Sequence, residues 1–127
     1  MEIIEVDEAH KDSEFRVAAL SEGIEGKRVL YACATWPAAK RAQAELSVFI
    51  TLNGLTRFVS ECRIGKPEMR VKFHSGGEVS FRGADTAGRG YAADVLIMDG
   101  LSEIEQCAVL PCVAARDGCV YRAAKGD

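Results

Sequence analysis

The run Val95-Leu96-Ile97-Met98 ends in Asp99 and is followed by Gly100. An apolar run that closes on a carboxylate reads as a buried parallel strand, one that delivers Asp99 to the carboxyl edge of a sheet. A carboxylate at that edge can hold Mg²⁺ against phosphate groups. Hydrolysis of a phosphate chain also needs a group that orients water, and an acidic residue directly after the Asp would supply it. Gly100 has no side chain to do so. The frame of a phosphate-handling site is therefore present with one catalytic group missing.

Other chemistry-bearing stretches are weaker. Gly83-Ala84-Asp85-Thr86-Ala87-Gly88-Arg89-Gly90 nearly spells a phosphate loop, with Arg for Lys and Gly for Ser/Thr. A phosphate loop must lead into a helix whose N-terminus meets the anion, whereas this one leads into the Asp99 strand and reads as a connection. Arg89 is retained as a candidate DNA contact. Arg57, Arg63, Lys66, Arg70, Lys72 and Arg82 concentrate positive charge in the middle third, diluted by Glu61, Glu68 and Glu78. Of these, Arg70, Lys72 and Arg82 are the candidate DNA-binding residues, because alternation puts them on one polar face. His74 and Ser75 are strand neighbours that point to opposite faces, so they form no catalytic dyad. Trp36 beside Pro37 reads as a packing anchor at a strand–helix corner. The five cysteines lack CxxC spacing and read as buried thiols, and two histidines are too few for a His-rich zinc site.

The elements that must position Asp99 follow from periodicity. Ile3–Val6 reads as a short strand, and Phe15, Ala18 and Ala19 mark a helix over 12–22. Arg28–Ala34 is apolar enough for a central strand. Thr35-Trp36-Pro37 opens a helix striped by Ala39, Ala42, Leu46, Phe49 and Ile50, with Asn53-Gly54 as its stop and helix resuming toward Glu61. The period then becomes two. Met69, Val71 and Phe73, then Val79 and Phe81, alternate with polar residues around Ser75-Gly76-Gly77, which predicts a β-hairpin. Ser102-x-x-Glu105 is a capping box for a helix with Leu101, Ile104 and Ala108 inward, and Pro111 ends or kinks it. Cys119–Ala123 is a last strand. Helices alternating with apolar strands mean an α/β fold, a mostly parallel sheet flanked by helices with the hairpin as an antiparallel addition.

At 127 residues the chain is expected to form one domain, 1–127, with enough apolar sequence for a core. The net charge of −3 gives no general attraction to nucleic acid or anionic lipid, so a polyanion contact needs a local basic patch. No apolar run approaches the ~20 residues of a membrane span, and the acidic N-terminus is no signal peptide. A cytoplasmic protein without membrane contact is the expectation.

The ordered set resembles the ATPase domain of phage terminase large subunits, the motors that package DNA into capsids. The resemblance covers about three-quarters of the chain, from Lys27 to the end, and rests on order rather than on one diagnostic motif. It consists of the strand–helix unit Val29–Ile50, the hairpin Val71–Phe81, Arg89-Gly90 in a short loop, the acidic strand Val95–Asp99, and a following helix and strand. It implies a P-loop, RecA-like fold, ATP and Mg²⁺ as the ligands, Asp99 as the magnesium-associated Asp, and a host bacterial cytoplasm.

The departures are equally specific. In place of G-x-x-x-x-G-K-[ST] stands Glu5-Val6-Asp7-Glu8-Ala9-His10-Lys11-Asp12. Lys11 sits where the phosphate Lys would, so Lys11 and Asp99 are the candidate nucleotide-binding residues. Glu5 and His10 replace the glycines, Asp12 replaces the hydroxyl residue, and Asp7 and Glu8 would repel phosphate. Ala123-Ala124 occupy the place of a hydroxyl residue that senses nucleotide. A second resemblance, to a helicase RecA-like domain, rests on Asp7-Glu8-Ala9-His10 and Ala34-Thr35-Trp36-Pro37, with Glu5 expected to interrupt the strand before Asp7. The resulting expectation is a non-hydrolysing binding or regulatory module. The alternatives are an ATPase completed by a partner chain or by a second copy, and a DNA-binding module working through the hairpin face.

Overall fold

The computed structural model describes residues 1–64, 69–84, 91–114 and 116–124. Seven strands form one sheet in the order β1-β7-β6-β2-β5-β4-β3. The strands are β1 (Glu2–Val6), β2 (Arg28–Cys33), β3 (Val59–Arg63), β4 (Arg70–Phe73), β5 (Glu78–Gly83), β6 (Val95–Asp99) and β7 (Cys119–Ala123). From β1 to β5 neighbouring strands are parallel, while β4 and β3 are added antiparallel. This is the mostly parallel α/β sheet with an antiparallel hairpin that the periodicity predicts.

Two helices cover one face. Helix α1 (Lys11–Ile24) buries Phe15, Ala18, Ala19 and Leu20, and α2 (Trp36–Leu52) buries Ala39, Gln43, Leu46 and Ile50. Thr35 caps α2 by accepting from the Ala38 amide at 3.3 Å, and Pro37 follows within the first turn, where a missing N–H costs nothing. Under these helices lie Val29, Tyr31 and Cys33 of β2, Val95 and Ile97 of β6, and the inward residues of the hairpin. The opposite face is covered by α3 (Glu103–Val109) and the short α4 (Pro111–Ala114), with Leu30, Ala32, Leu96, Met98 and Val120 beneath Val109, Cys112 and Val113. Ser102 and Glu105 close the predicted capping box, and Pro111 separates the two helices.

Four expectations are corrected. Val59–Arg63 is a strand rather than resumed helix, because β4 offers it an edge and Gln43 of α2 donates to the Arg63 carbonyl at 2.7 Å. Ile104 is 84% exposed and Ala108 is also exposed, since α3 reaches the sheet only through its C-terminal Val109. Cys62 and Cys107 are exposed, so only Cys33 and Cys112 are fully buried thiols; all five cysteines are free. Glu5 does not interrupt β1: as an outward residue of an edge strand it pairs with Arg122 of β7 at 2.8 Å. Among the described residues no helix is long and apolar enough to cross a membrane.

Candidate functional site

Strand alternation and register build the site. On β6, Val95, Ile97 and Asp99 face α1, and on β2 so do Val29, Tyr31 and Cys33. Cys33 pairs in register with Asp99, which places Tyr31 diagonally across from the carboxylate. The Tyr31 hydroxyl donates to Asp99 Oδ2 at 3.0 Å. On the other side Lys11, the first residue of α1, brings its ammonium to 3.2 Å from Asp99 Oδ1 and 3.7 Å from Glu8. Sites at the carboxyl edge of α/β sheets form where helices leave to opposite faces. Here α1 leaves β1 over one face, and the chain after β6 leaves over the other.

The electrostatics are those of a closed set. Burial works to lower the Lys11 ammonium pKa, yet Asp99 and Glu8 outweigh it and the net shift is upward. Burial and the neighbouring Asp99 carboxylate push the Tyr31 phenol upward, so it stays a neutral donor. The same two causes push the Cys33 thiol up to about 12, which leaves it a poor nucleophile at neutral pH. Among the described residues no group of three or more His, Cys, Asp or Glu side chains converges as a metal cluster.

The segment between β1 and α1 is a single 3₁₀ turn, Glu8–His10, and it is already occupied by its own acid. The Asp7 carboxylate accepts from the Ala9 amide at 3.0 Å, and the His10 amide donates to the Asp7 carbonyl at 3.0 Å. The Ala9 bond, then His10, holds the Asp7 carboxyl below its ordinary pKa. In a phosphate cradle such amides would point at the anion. Here the side chain of Asp7 and the turn itself use them. With one carboxylate neutralised by a lysine and the loop amides spent, the residues present do not fit a Mg²⁺–nucleotide pair.

The structure thus brings Lys11 and Asp99 together. The DNA candidates among the described residues lie on one face of the β4–β5 hairpin, amid acidic, polar and aromatic neighbours. Lys72 stands opposite both Glu61 and Glu78 across its strand neighbours. Arg82 lays its guanidinium on the Tyr91 ring at 4.6 Å and donates to Ser80 at 3.3 Å, while Arg28 covers the same ring at 4.5 Å. Arg70 shares this face, opposite Arg63 and Ser80. Arg89 lies outside the described residues. His74 is exposed, and Trp36 is half-buried against the α1–α2 core, as a corner anchor should be.

Compared with solved structures, the chain is similar to the HK97 bacteriophage large terminase, with a TM-score of 0.73 at 11% identity over 98% of this chain. It is also similar to the large terminase ATPase domain of Thermus phage P74-26, with a TM-score of 0.62 at 18% identity over 99% of this chain. The fold is that of a large terminase ATPase domain. At these identities the likeness is one of architecture. The chain spans 29% of the length of the HK97 protein and 60% of the P74-26 domain. No protein-family model and no curated protein matches the chain in sequence.

Two parts of the site escaped the sequence reading. Tyr31 was legible only from the β2–β6 register, which periodicity does not supply. Asp7 carries a further signal beside its charge: an Asp at a helix entry can accept from the amide two residues on, a capping pattern.

Proposed function

We propose that this chain is a non-hydrolysing binding or regulatory module built on the fold of a DNA-packaging motor. It works by imitating a motor subunit or by engaging one of the motor's partners. The observation that carries this reading is the state of Asp99, whose two carboxylate oxygens are held by Lys11 and Tyr31. Lys11 and Asp99 are the groups that a nucleotide and its Mg²⁺ would meet, and each is spent on the other. Phosphoryl transfer needs phosphate positioning, a metal and an oriented water together. The Asp7 cap removes the first, the Lys11 pair competes with the second, and Gly100 brings no side chain to the third.

The test is phosphate release from ATP by the purified chain with Mg²⁺. The expected result is turnover equal to the buffer blank for both the native chain and Asp99→Asn. Mg²⁺-dependent turnover that Asp99→Asn abolishes would overturn the proposal.

A further inference from the structure

Helix α2 presents a second face that the core does not use. Ala44, Val48 and Leu52 recur at i, i+4 and i+8 on its outer side, with Val48 56% and Leu52 79% exposed. They line a groove of about 350 Å³ together with Arg16, Arg41 and Phe49. Arg16 of α1 closes one wall, lying over the Phe49 ring at 5.7 Å and reaching Glu45 at 3.5 Å. Single exposed leucines are ordinary, but an apolar stripe along one helix beside an aromatic floor is a recognition surface.

The charges around the groove say what kind of partner fits. The first turn of α2 has no acidic residue, and the second carries Lys40 and Arg41, cations set near the positive end of the helix dipole. Among the described residues neither makes an ion pair or a ring contact, and Arg41 acts internally only through its charge near the buried Cys33 thiol. Among the described residues the only carboxylate lining the groove, Glu45, is committed to Arg16. A second copy packed groove to groove would therefore bring apolar surface but no free acid to Arg41. From Arg41 to Leu52 the stripe runs ~16 Å, about three helical turns.

From this geometry we infer that the α1–α2 groove docks an amphipathic helix of another protein, with apolar residues at i, i+3/i+4 and i+7 and an acidic flank against Lys40 and Arg41. Leu52 and Val48 seat the apolar face. Arg41 sets the polarity of the docked helix by meeting its acid. Neither Lys11 nor Asp99 lines the groove, so this inference and the proposed function can fail separately.

Fluorescence anisotropy with two synthetic amphipathic helices tests it, one flanked by Glu and the other identical but flanked by Lys. The Glu-flanked peptide is expected to bind saturably, and Leu52→Glu to weaken it at least ~10-fold. Arg41→Glu is expected to weaken the Glu-flanked peptide and strengthen the Lys-flanked one, a charge swap that lost folding cannot imitate. Both residues are solvent-facing, and unchanged circular dichroism confirms the variants fold. The inference is overturned by no saturable binding up to ~1 mM peptide, or by binding indifferent to Leu52→Glu. A concentration-dependent dimer that Leu52→Glu dissolves would equally overturn it, assigning the groove to a second copy.

Discussion

At Lys11, Asp99, Tyr31 and Asp7 the charged and polar groups pair with one another or with the neighbouring backbone. Lys11 and Asp99 are each mostly buried at the side chain, 24% and 19% exposed, so their attraction is screened less than on an open surface. Because the folded pKa of Lys11 is raised, the pair stabilises the native state fully below the unfolded value of 10.5. That stabilisation is lost as pH rises through the folded pKa. Urea denaturation at a series of alkaline pH values is expected to show a decline above about pH 10.5 that is shallower in Lys11→Met, the difference being on the order of 1 kcal/mol. Asp94 behaves with the opposite sign at the other edge of the sheet. Burial opposes ionisation there, but the Arg28 amide at 2.9 Å and Arg116 at 3.0 Å hold its pKa below 3.8. Its contribution is present above 3.8 and disappears as pH falls through the lowered value, so Asp94→Ala is expected to flatten the acid limb of the stability curve. Of these residues only Asp99, Lys11 and the acidic character of Asp7 were legible in the sequence. Tyr31 enters through a cross-strand diagonal, which no linear pattern encodes.

Elements are held together at a few places where backbones approach too closely for any side chain. The β4–β5 turn docks on the end of α1: a Cβ added at Gly77 would lie 1.9 Å from the Gly23 carbonyl oxygen. Ser75 fixes the same junction by donating to that carbonyl at 3.2 Å. Gly77→Ala must therefore separate hairpin and helix, and is expected to cost more than ~2 kcal/mol in urea denaturation. Ser102→Ala, which removes the capping box of an exposed helix, is expected to cost only ~1 kcal/mol by the same measurement. The hairpin, the Thr35 cap and the capping box could all be read from sequence because each is a local rule. The β3 strand could not. Val59-Ser60-Glu61-Cys62-Arg63 has little strand character of its own and is made a strand by β4 and Gln43. The inward face of α3 was misread for a related reason. Leu101, Ile104 and Ala108 have helical spacing, but a seven-residue helix touches the sheet only at its C-terminal end.

At the scale of the molecule, a seven-stranded terminase-like sheet carries Asp99 at its carboxyl edge, held there by Lys11 and Tyr31. The order of strands and helices was legible because apolar runs and amphipathic stripes alternate clearly along the chain. The closing of the site was not, because it depends on which side chains a fold brings within 3 Å of one another. An anion or metal at this edge would meet the Lys11–Asp99 pair, and the Ala9 amide is already taken by the Asp7 cap. Calorimetric titration of the native chain with ATP and Mg²⁺ tests this closure most directly. The predicted result is no saturable heat up to ~1 mM nucleotide, a ceiling that corresponds to about 4 kcal/mol of binding. Saturable one-to-one binding in the micromolar range, lost on Lys11→Met, would contradict it.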